Sequence, residues 1–400
     1  MRVVHYLQGR ANPNGTNGGD RVIHNLSKSM AELGAQVYVF GLSDKAPLAN
    51  GRTIVQNFRP PRDPLSLPSV LTNRLREIKP DVVHFHGVWT PRTARLAQWL
   101  RRQHIPYSIS PHGGLMGGVL TRGRMKKAAY LALLGRSFCS GALLIHCVSE
   151  AEANAVRPFS GNVPTVIAPH GLEGTNPASV DCGALCREYP KLKGKRIFGF
   201  LGRLDPAQKG LDLLVEACAQ IRLSLNNAVV VIAGPDWKDR MLTVRGRVTE
   251  LGLEDTVWFV GPKMGQDKFN FLASCDVFVH PSRWEAGVPF SVLDALELAR
   301  PCLVSTGRFF GDFFQRNDAG IQVLPTTAGV EEGLRYFAKA SKAELDAMGA
   351  TGREAVLREF SWERSAQTLL DAYGGRNSGS LAKPKRREPS LEPAEFGSSR

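Results

Sequence analysis

Short apolar runs alternate with stretches of helical period along most of the chain. Val3 to Leu7 is one such run; Val22, Ile23, Leu26, Met30 and Leu33 then recur at helical spacing, and Gln36 to Phe40 is a second run. Continuous apolar runs bounded by turn residues predict strands buried on both faces, and their alternation with amphipathic helices predicts parallel sheets. The same reading gives strands at Asp81–Gly87, Tyr107–Ser110, Leu143–Val148 and Val163–Ile167, with a helix near Val70–Ile78. It also gives a basic amphipathic helix over Leu120–Ser137, carrying Arg122, Arg124, Lys126, Lys127 and Arg136. Ala168-Pro-His-Gly171 reads as a hinge, after which the pattern repeats. Strands are expected at Arg196–Leu201, Ala228–Ala233, Thr256–Val260, Asp276–His280 and Pro301–Ser305, and a helix at Leu211–Leu223. Ser361 is a good N-cap for a last helix running to Tyr373. The expectation is an α/β protein of two doubly wound domains, 1–168 and 169–360, a final helix over 361–374, and a basic disordered tail over 375–400.

Composition narrows this picture. Four hundred residues exceed one ordinary core, which suits two domains. With 43% hydrophobic and 22% charged residues the chain reads as globular. The nearest approach to a membrane span, Ala128–Ile145, is interrupted by Arg136, and the apolar run at the N-terminus is too short for a secretory signal. A cytoplasmic location is therefore expected. Seven cysteines form no Cys-x-x-Cys pair and no zinc spacing, so neither a disulfide framework nor a structural metal is expected. The net charge of +14 calls for an anionic partner: nucleic acid, an anionic membrane face or a polyphosphate ligand. Part of that excess sits in the tail, in Lys383-Pro-Lys-Arg-Arg387.

The chemistry concentrates in a few turns. In Phe198-Gly-Phe-Leu-Gly-Arg-Leu-Asp-Pro-Ala-Gln-Lys-Gly210 a strand ends at Gly202, and Arg203 and Lys209 flank the start of the next helix. Free N–H groups, the helix dipole and two cations there describe a seat for a diphosphate. The Gly/Asn-rich loop ending in Gly18-Gly19 is not a dinucleotide fingerprint, because it is long and holds no Gly-x-Gly-x-x-Gly. His84, His86 and Trp89 follow one strand and His112 the next, on the sheet edge where ligands of open parallel sheets bind. In His280-Pro-Ser-Arg-Trp-Glu-Ala-Gly-Val-Pro-Phe-Ser-Val-Leu-Asp294, Glu285 stands in a turn and Asp294 in a helix; such carboxylates cap helices or grip sugar hydroxyls.

In this order the motifs resemble a glycosyltransferase of the GT-B fold, of the group 1, family 4, retaining and nucleotide-sugar-dependent type. The resemblance runs over roughly residues 1–373 and rests on Gly18-Gly19, Asp81-Val-Val-His-Phe-His-Gly87, Ser110-Pro-His-Gly113, Gly202-Arg-Leu-Asp-Pro with Lys209-Gly210, and His280-Pro-Ser-Arg-Trp-Glu285. It implies two Rossmann-like domains facing a cleft, with the final helix crossing back to the first. It further implies that Arg203 and Lys209 hold the donor diphosphate, that Glu285 contacts the donor sugar, and that His112 lies near the transferred sugar. Gly18, Gly19, Gly202, Gly210 and Gly287 fall on the donor side, and His84, His86 and Trp89 on the acceptor side. The family's second carboxylate, eight residues after the first, contacts the ribose; here position 293 is Leu and the acid is Asp294, nine residues on and one methylene shorter.

The implied reaction moves a sugar from a nucleoside-diphosphate sugar to a glycan or lipid-linked saccharide, in exopolysaccharide or lipopolysaccharide assembly. It needs no metal and no further cofactor. The leaving phosphate takes the acceptor proton, and the domains close about Pro169-His170. Peripheral contact of the basic helix with an anionic membrane face is the accompanying expectation. An epimerase or phosphorylase of the same fold, an inactive relative, and a basic nucleic-acid-binding protein are the competing classes. The last requires basic residues interleaved with aromatics on one face, which the scattered charge does not supply.

Overall fold

The computed structural model describes residues 1–375 apart from 11, 13–17, 122, 222–226, 237–239, 306–309 and 311. The tail from 376 onward, with its basic run, and Arg122 therefore lie outside the described residues. So does most of the loop ahead of Gly18.

Two parallel sheets organise the chain. The first contains β1 (Arg2–Leu7), β2 (Gln36–Leu42), β3 (Ile54–Phe58), β4 (Val82–His86), β5 (Tyr107–Ser110), β6 (Leu144–Cys147) and β7 (Thr165–Ile167), in the order β3-β2-β1-β4-β5-β6-β7. The second contains β8 (Arg196–Leu201), β9 (Ala228–Ala233), β10 (Val257–Phe259), β11 (Val277–His280), β12 (Cys302–Ser305) and β13 (Gly320–Val323), in the order β10-β9-β8-β11-β12-β13. Both are doubly wound, so each has one point where the winding reverses: between β1 and β4, and between β8 and β11. The carboxyl ends at those points carry His86-Gly87 in the first sheet, and Gly202-Arg203 and His280-Pro281 in the second.

Central strands such as β8 and β9 are continuous apolar segments sealed by helices on both faces, as the runs of Val, Ile and Phe require. Two edge strands escape the sequence reading: β3, with sequence Ile-Val-Gln-Asn-Phe, and β13, Gly-Ile-Gln-Val. Each has one neighbour and is only partly buried, so each tolerates polar residues and loses the apolar signal.

The expected helix over Leu120–Ser137 is corrected to several pieces. Helices at Gly117–Leu120 and Arg124–Tyr130 are separated at Gly123, whose φ of 65° no helix interior adopts; a π-helical turn at Leu131–Gly135 then leads into Arg136–Ser140. Among the described residues no helix is long and apolar enough to cross a membrane.

The final helix (Trp362–Tyr373) leaves the second domain and packs on the first. Trp362, Ala366 and Leu369 join Val22, Leu26 and Met30 of the first helix (Gly18–Glu32), with Val3, Val82 and Leu144 of the sheet beneath. Ser361 caps it by accepting the N–H of Arg364. The two chain crossings touch: a Cβ on Gly171 would lie 2.2 Å from the Trp362 nitrogen, so only glycine fits beside the second crossing.

Candidate functional site

The expected diphosphate seat is built from two turns of the second domain. After β8, Pro206–Lys209 makes one helical turn, and Gly210 takes φ 65° before the helix Leu211–Ile221. A Cβ on Gly210 would lie 2.1 Å from the Pro281 carbonyl oxygen, so its lack of a side chain lets the turn after β11 close against this one. Backbone and side chain then lace the two turns: Arg283 N–H donates to Gln208 O (2.8 Å), and Ser282 Oγ lies 3.1 Å from the same oxygen. Arg203, exposed at the rim, donates to Gln208 Oε1 (2.8 Å).

Glu285 is drawn into this seat. Its Oε1 accepts from Lys209 Nζ, from His280 Nε2 (3.0 Å) and from Ser282 Oγ (2.6 Å), while no described protein donor is bonded to Oε2. Burial pushes the carboxyl pKa up, but the Lys209 charge and the His280 bond outweigh it and hold the group near 2. His280 is kept neutral by burial, against the pull of Glu285. Lys209 and Glu285 thus form a neutral unit with one free carboxylate oxygen, beside Arg203 and a helix N-terminus.

The first domain supplies the opposite wall. The turn after β5 places His112 at φ 51° and Gly113 at φ 74°, two successive left-handed residues. A side chain such as His in that region signals a strained, over-determined turn. Glu152, buried and missed by the sequence reading, pins it: Oε1 accepts from Gly113 N–H (2.5 Å) and Oε2 from Val148 N–H (2.9 Å), joining the turns after β5 and β6. Burial raises the Glu152 pKa; the two backbone donors oppose the rise. Trp89 is partly buried behind the His112 turn. Its indole donates to Gly114 O (2.7 Å) and its ring lies against Tyr130, so it supports the His112 turn from behind.

Both ring nitrogens of His84 and of His86, the acceptor-side candidates, are bonded within the first domain and its final helix. His84 is fully buried on the sheet face beneath the final helix, between Tyr373 Oη and Ser110 Oγ (2.6 Å). Its row is directional. The Ala168 carbonyl accepts the hydrogen bond of His146 Nε2–H (2.8 Å), so Ser110 donates to His146 Nδ1 (2.7 Å) and His84 Nε2 donates to Ser110. Tyr373 must then donate to His84 Nδ1. His86 is bonded on both ring nitrogens, to His112 Nε2 (2.9 Å) and to His5 Nδ1 (2.9 Å), which leaves none for an acceptor. Desolvation by burial pushes His5 and His112 down to about 3 and His146 to about 4, so the stack is neutral at physiological pH.

The two walls meet. A Cβ on Gly113, next to His112, would touch Ala286, next to Glu285, at 3.0 Å. One on Gly118 would strike Trp284, and one on Gly287 would strike Val148 at 2.7 Å. Ser149 Oγ donates to Ala286 O across the cleft. Gly287 therefore serves the contact between the domains. Gly18 opens the first helix against the Phe290 ring, and Gly19 is the second residue of that helix.

Asp294 departs furthest from expectation. It is buried, and both oxygens are gripped by Arg21 of the first helix (2.9 and 2.6 Å), with Lys268 3.0 Å from Oδ2. Arg21 also pairs with Glu173 (2.8 Å) and lies 4.0 Å over the Phe290 ring. Both oxygens of this carboxylate are thus already engaged by cations. No spacing rule links positions 21 and 294, and the sequence carried no signal for the pair.

Residues 16–175 match the family model described as Glycosyltransferase Family 4, and residues 185–354 the one described as Glycosyl transferases group 1. The chain is 28% identical over 185 residues to the D-inositol 3-phosphate glycosyltransferase of Saccharomonospora viridis, covering 44% of this chain and 42% of the relative. It is 27% identical over 257 residues to an Escherichia coli UDP-Gal:alpha-D-GlcNAc-diphosphoundecaprenol alpha-1,3-galactosyltransferase, covering 63% and 64%. The chain spans about half the length of the curated relatives it matches. Among solved structures, Anabaena HepE in complex with UDP and glucose superposes with a TM-score of 0.75 at 15% identity, over 94% of this chain and all of the other. At that identity the likeness shows a shared fold.

Proposed function

The chain belongs to the group 1 glycosyltransferases and has their GT-B fold, and from that premise we propose that it transfers a hexosyl group, with retention, from a nucleoside-diphosphate sugar to a glycan or lipid-linked saccharide. The observation that carries this reading is the convergence of Arg203, Lys209 and Glu285 at the carboxyl end of the second sheet, facing the His112 turn. Departure of the nucleoside diphosphate builds negative charge on the leaving phosphate. Arg203, Lys209 and the N-terminus of Leu211–Ile221 stabilise it. Glu285 holds Lys209 in place with Oε1 and offers Oε2 to a hydroxyl of the donor sugar. His112, with its depressed pKa, is a poor base at neutral pH, which suits same-face attack with the leaving phosphate taking the acceptor proton.

The lipid-linked acceptor draws support from the activity of the E. coli relative, a diphosphoundecaprenol galactosyltransferase, and from the surface of the first domain. Met125 is 87% and Leu133 78% exposed, among Arg124, Lys126 and Arg136, a combination suited to an anionic membrane face and to exopolysaccharide or lipopolysaccharide assembly. Calorimetric titration with UDP and GDP, with and without magnesium, tests the seat. Metal-independent binding that falls at least about 10-fold in Arg203→Ala is expected; binding indifferent to Arg203 removes the seat.

A further inference from the structure

His112 is backed by two more imidazoles, and the row they form has a dead end. His112 Nε2 bonds to His86 Nδ1, His86 Nε2 bonds to His5 Nδ1, and His5 Nε2 is buried without a partner. Rings 86 and 112 stack at 5.2 Å with 8° between their planes, and rings 5 and 86 at 5.2 Å with 25°. Each ring is neutral and carries one N–H, so the row has only two states, with all protons pointing one way or the other. If they point from His112 toward His5, the unpartnered His5 Nε2 must be a buried N–H. If they point from His5 toward His112, it is a bare acceptor. Buried N–H groups left without an acceptor are rare, rarer than under-satisfied acceptors. The second state leaves the proton of His112 on Nδ1, which is bonded to no described protein group and is not among the sealed unpaired atoms.

We propose that His86, backed by His5, is a positioning residue that locks His112 in its Nδ1–H tautomer, presenting the cleft with a fixed hydrogen-bond donor. The left-handed backbone at His112 and Gly113, pinned by Glu152, sets where that donor stands. The row sets which atom carries the hydrogen. A donor so fixed binds an oxygen of the sugar without having to reorient as the bond to phosphate breaks, and it discriminates against groups that can only donate. This rests on the reading that His112 faces the transferred sugar.

The test is ring ¹⁵N spectroscopy of the uniformly labelled full chain at pH 7.5, where long-range ¹H–¹⁵N correlations report which nitrogen is protonated. His112 is expected on Nδ1–H with at least about a 10-fold bias, the worth of one well-made hydrogen bond. His86→Phe is expected to abolish the bias. His86→Gln, whose amide can still donate to His112 Nε2, is expected to restore it. A wild-type His112 protonated on Nε2, or a tautomer unmoved by His86→Phe, overturns the proposal. Should His86→Phe not fold, His5→Phe is read in its place: it moves the bare acceptor to His86 Nε2, so His112 is expected to stay on Nδ1–H, and a His112 shifted to Nε2–H in that variant overturns the proposal. The measurement needs neither donor nor acceptor sugar. A failure of the transferase reading, seen in UDP titration of Arg203→Ala, is therefore told apart from a failure here.

Discussion

Replacing Arg21 tests whether the contact between the domains is held by a single buried ion pair. The guanidinium meets Asp294 at 2.9 and 2.6 Å, with side-chain exposures of 11% and 1%. Breaking a buried pair by deleting one partner costs about 3–5 kcal/mol, because the other charge stays behind. Here Lys268, 3.0 Å from Oδ2, continues to neutralise Asp294, which lowers the loss. Against that, Arg21→Ala also uncovers Phe290 and leaves Glu173 with Lys268 alone, adding about 0.5–1 kcal/mol for the lost cation–ring contact. With Lys268 taking off about half of the pair's cost, the sum is about 2–3.5 kcal/mol, and with a urea slope of about 3 kcal/mol/M the midpoint should fall by roughly 0.7–1.2 M. The assay is urea unfolding of wild type, Arg21→Ala, Asp294→Asn and the double variant, followed by circular dichroism and by tryptophan fluorescence. Their coincidence checks that a two-state treatment applies. A coupling energy of at least about 1 kcal/mol is expected. A coupling under about 0.5 kcal/mol, with the single-variant losses simply adding, would refute the reasoning and return Asp294 to the list of ribose contacts.

Other predictions follow from the same geometry. Glu285→Gln should keep UDP affinity within about threefold but lower turnover of the donor by at least about 100-fold, since Lys209 loses its fixed partner; unchanged turnover removes Glu285 from the site. Acid should destabilise the protein early. Eight of the nine histidines have pKa values lowered by burial, so between pH 6.5 and about 4 the unfolded chain binds protons that the folded one refuses, and stability present above 6.5 is lost as pH falls through that window. Each histidine that stays neutral contributes about 1.4 kcal/mol per pH unit, and a urea midpoint that does not move between pH 7.5 and 5.5 would contradict the neutral stack. Gly210→Ala should lower the melting temperature and abolish UDP binding together, because the added methyl meets the Pro281 carbonyl and pushes the two turns of the seat apart; wild-type affinity in that variant would show that the turns need not touch.

The sequence was most informative where burial is symmetric. Central strands announce themselves as apolar runs because both faces are covered, which is why β1, β4, β8 and β9 were legible and the edge strands β3 and β13 were not. Within the site, Arg203, Lys209 and Glu285 could be found because each stands at a turn after a strand, where the chain itself marks a sheet edge. The turns carrying His86 and His112 were legible as neighbours on one sheet edge, but the row behind them, which reaches back to His5, was not. His5 and His84 are aligned partners in adjacent strands, and His84 and His86 share a face because strands repeat every two residues. Applied to a guessed strand order, that period would have put the three rings together. The pairing of Arg21 with Asp294 spans 273 residues and follows from the docking of two domains, which no local pattern encodes.

The final helix also bears on how the protein is made. Residues 1–168 hold all seven strands of the first sheet, but one of its faces is completed by Trp362, Ala366, Leu369 and Tyr373, close to the end of the described chain. During synthesis that face, with Val22, Leu26 and Met30 beside it and the buried histidines at its upper edge, must wait until the second domain has been translated. The first domain to leave the ribosome is thus the last to be finished, and a transcript cut short before codon 362 yields two sheets and no complete N-terminal core.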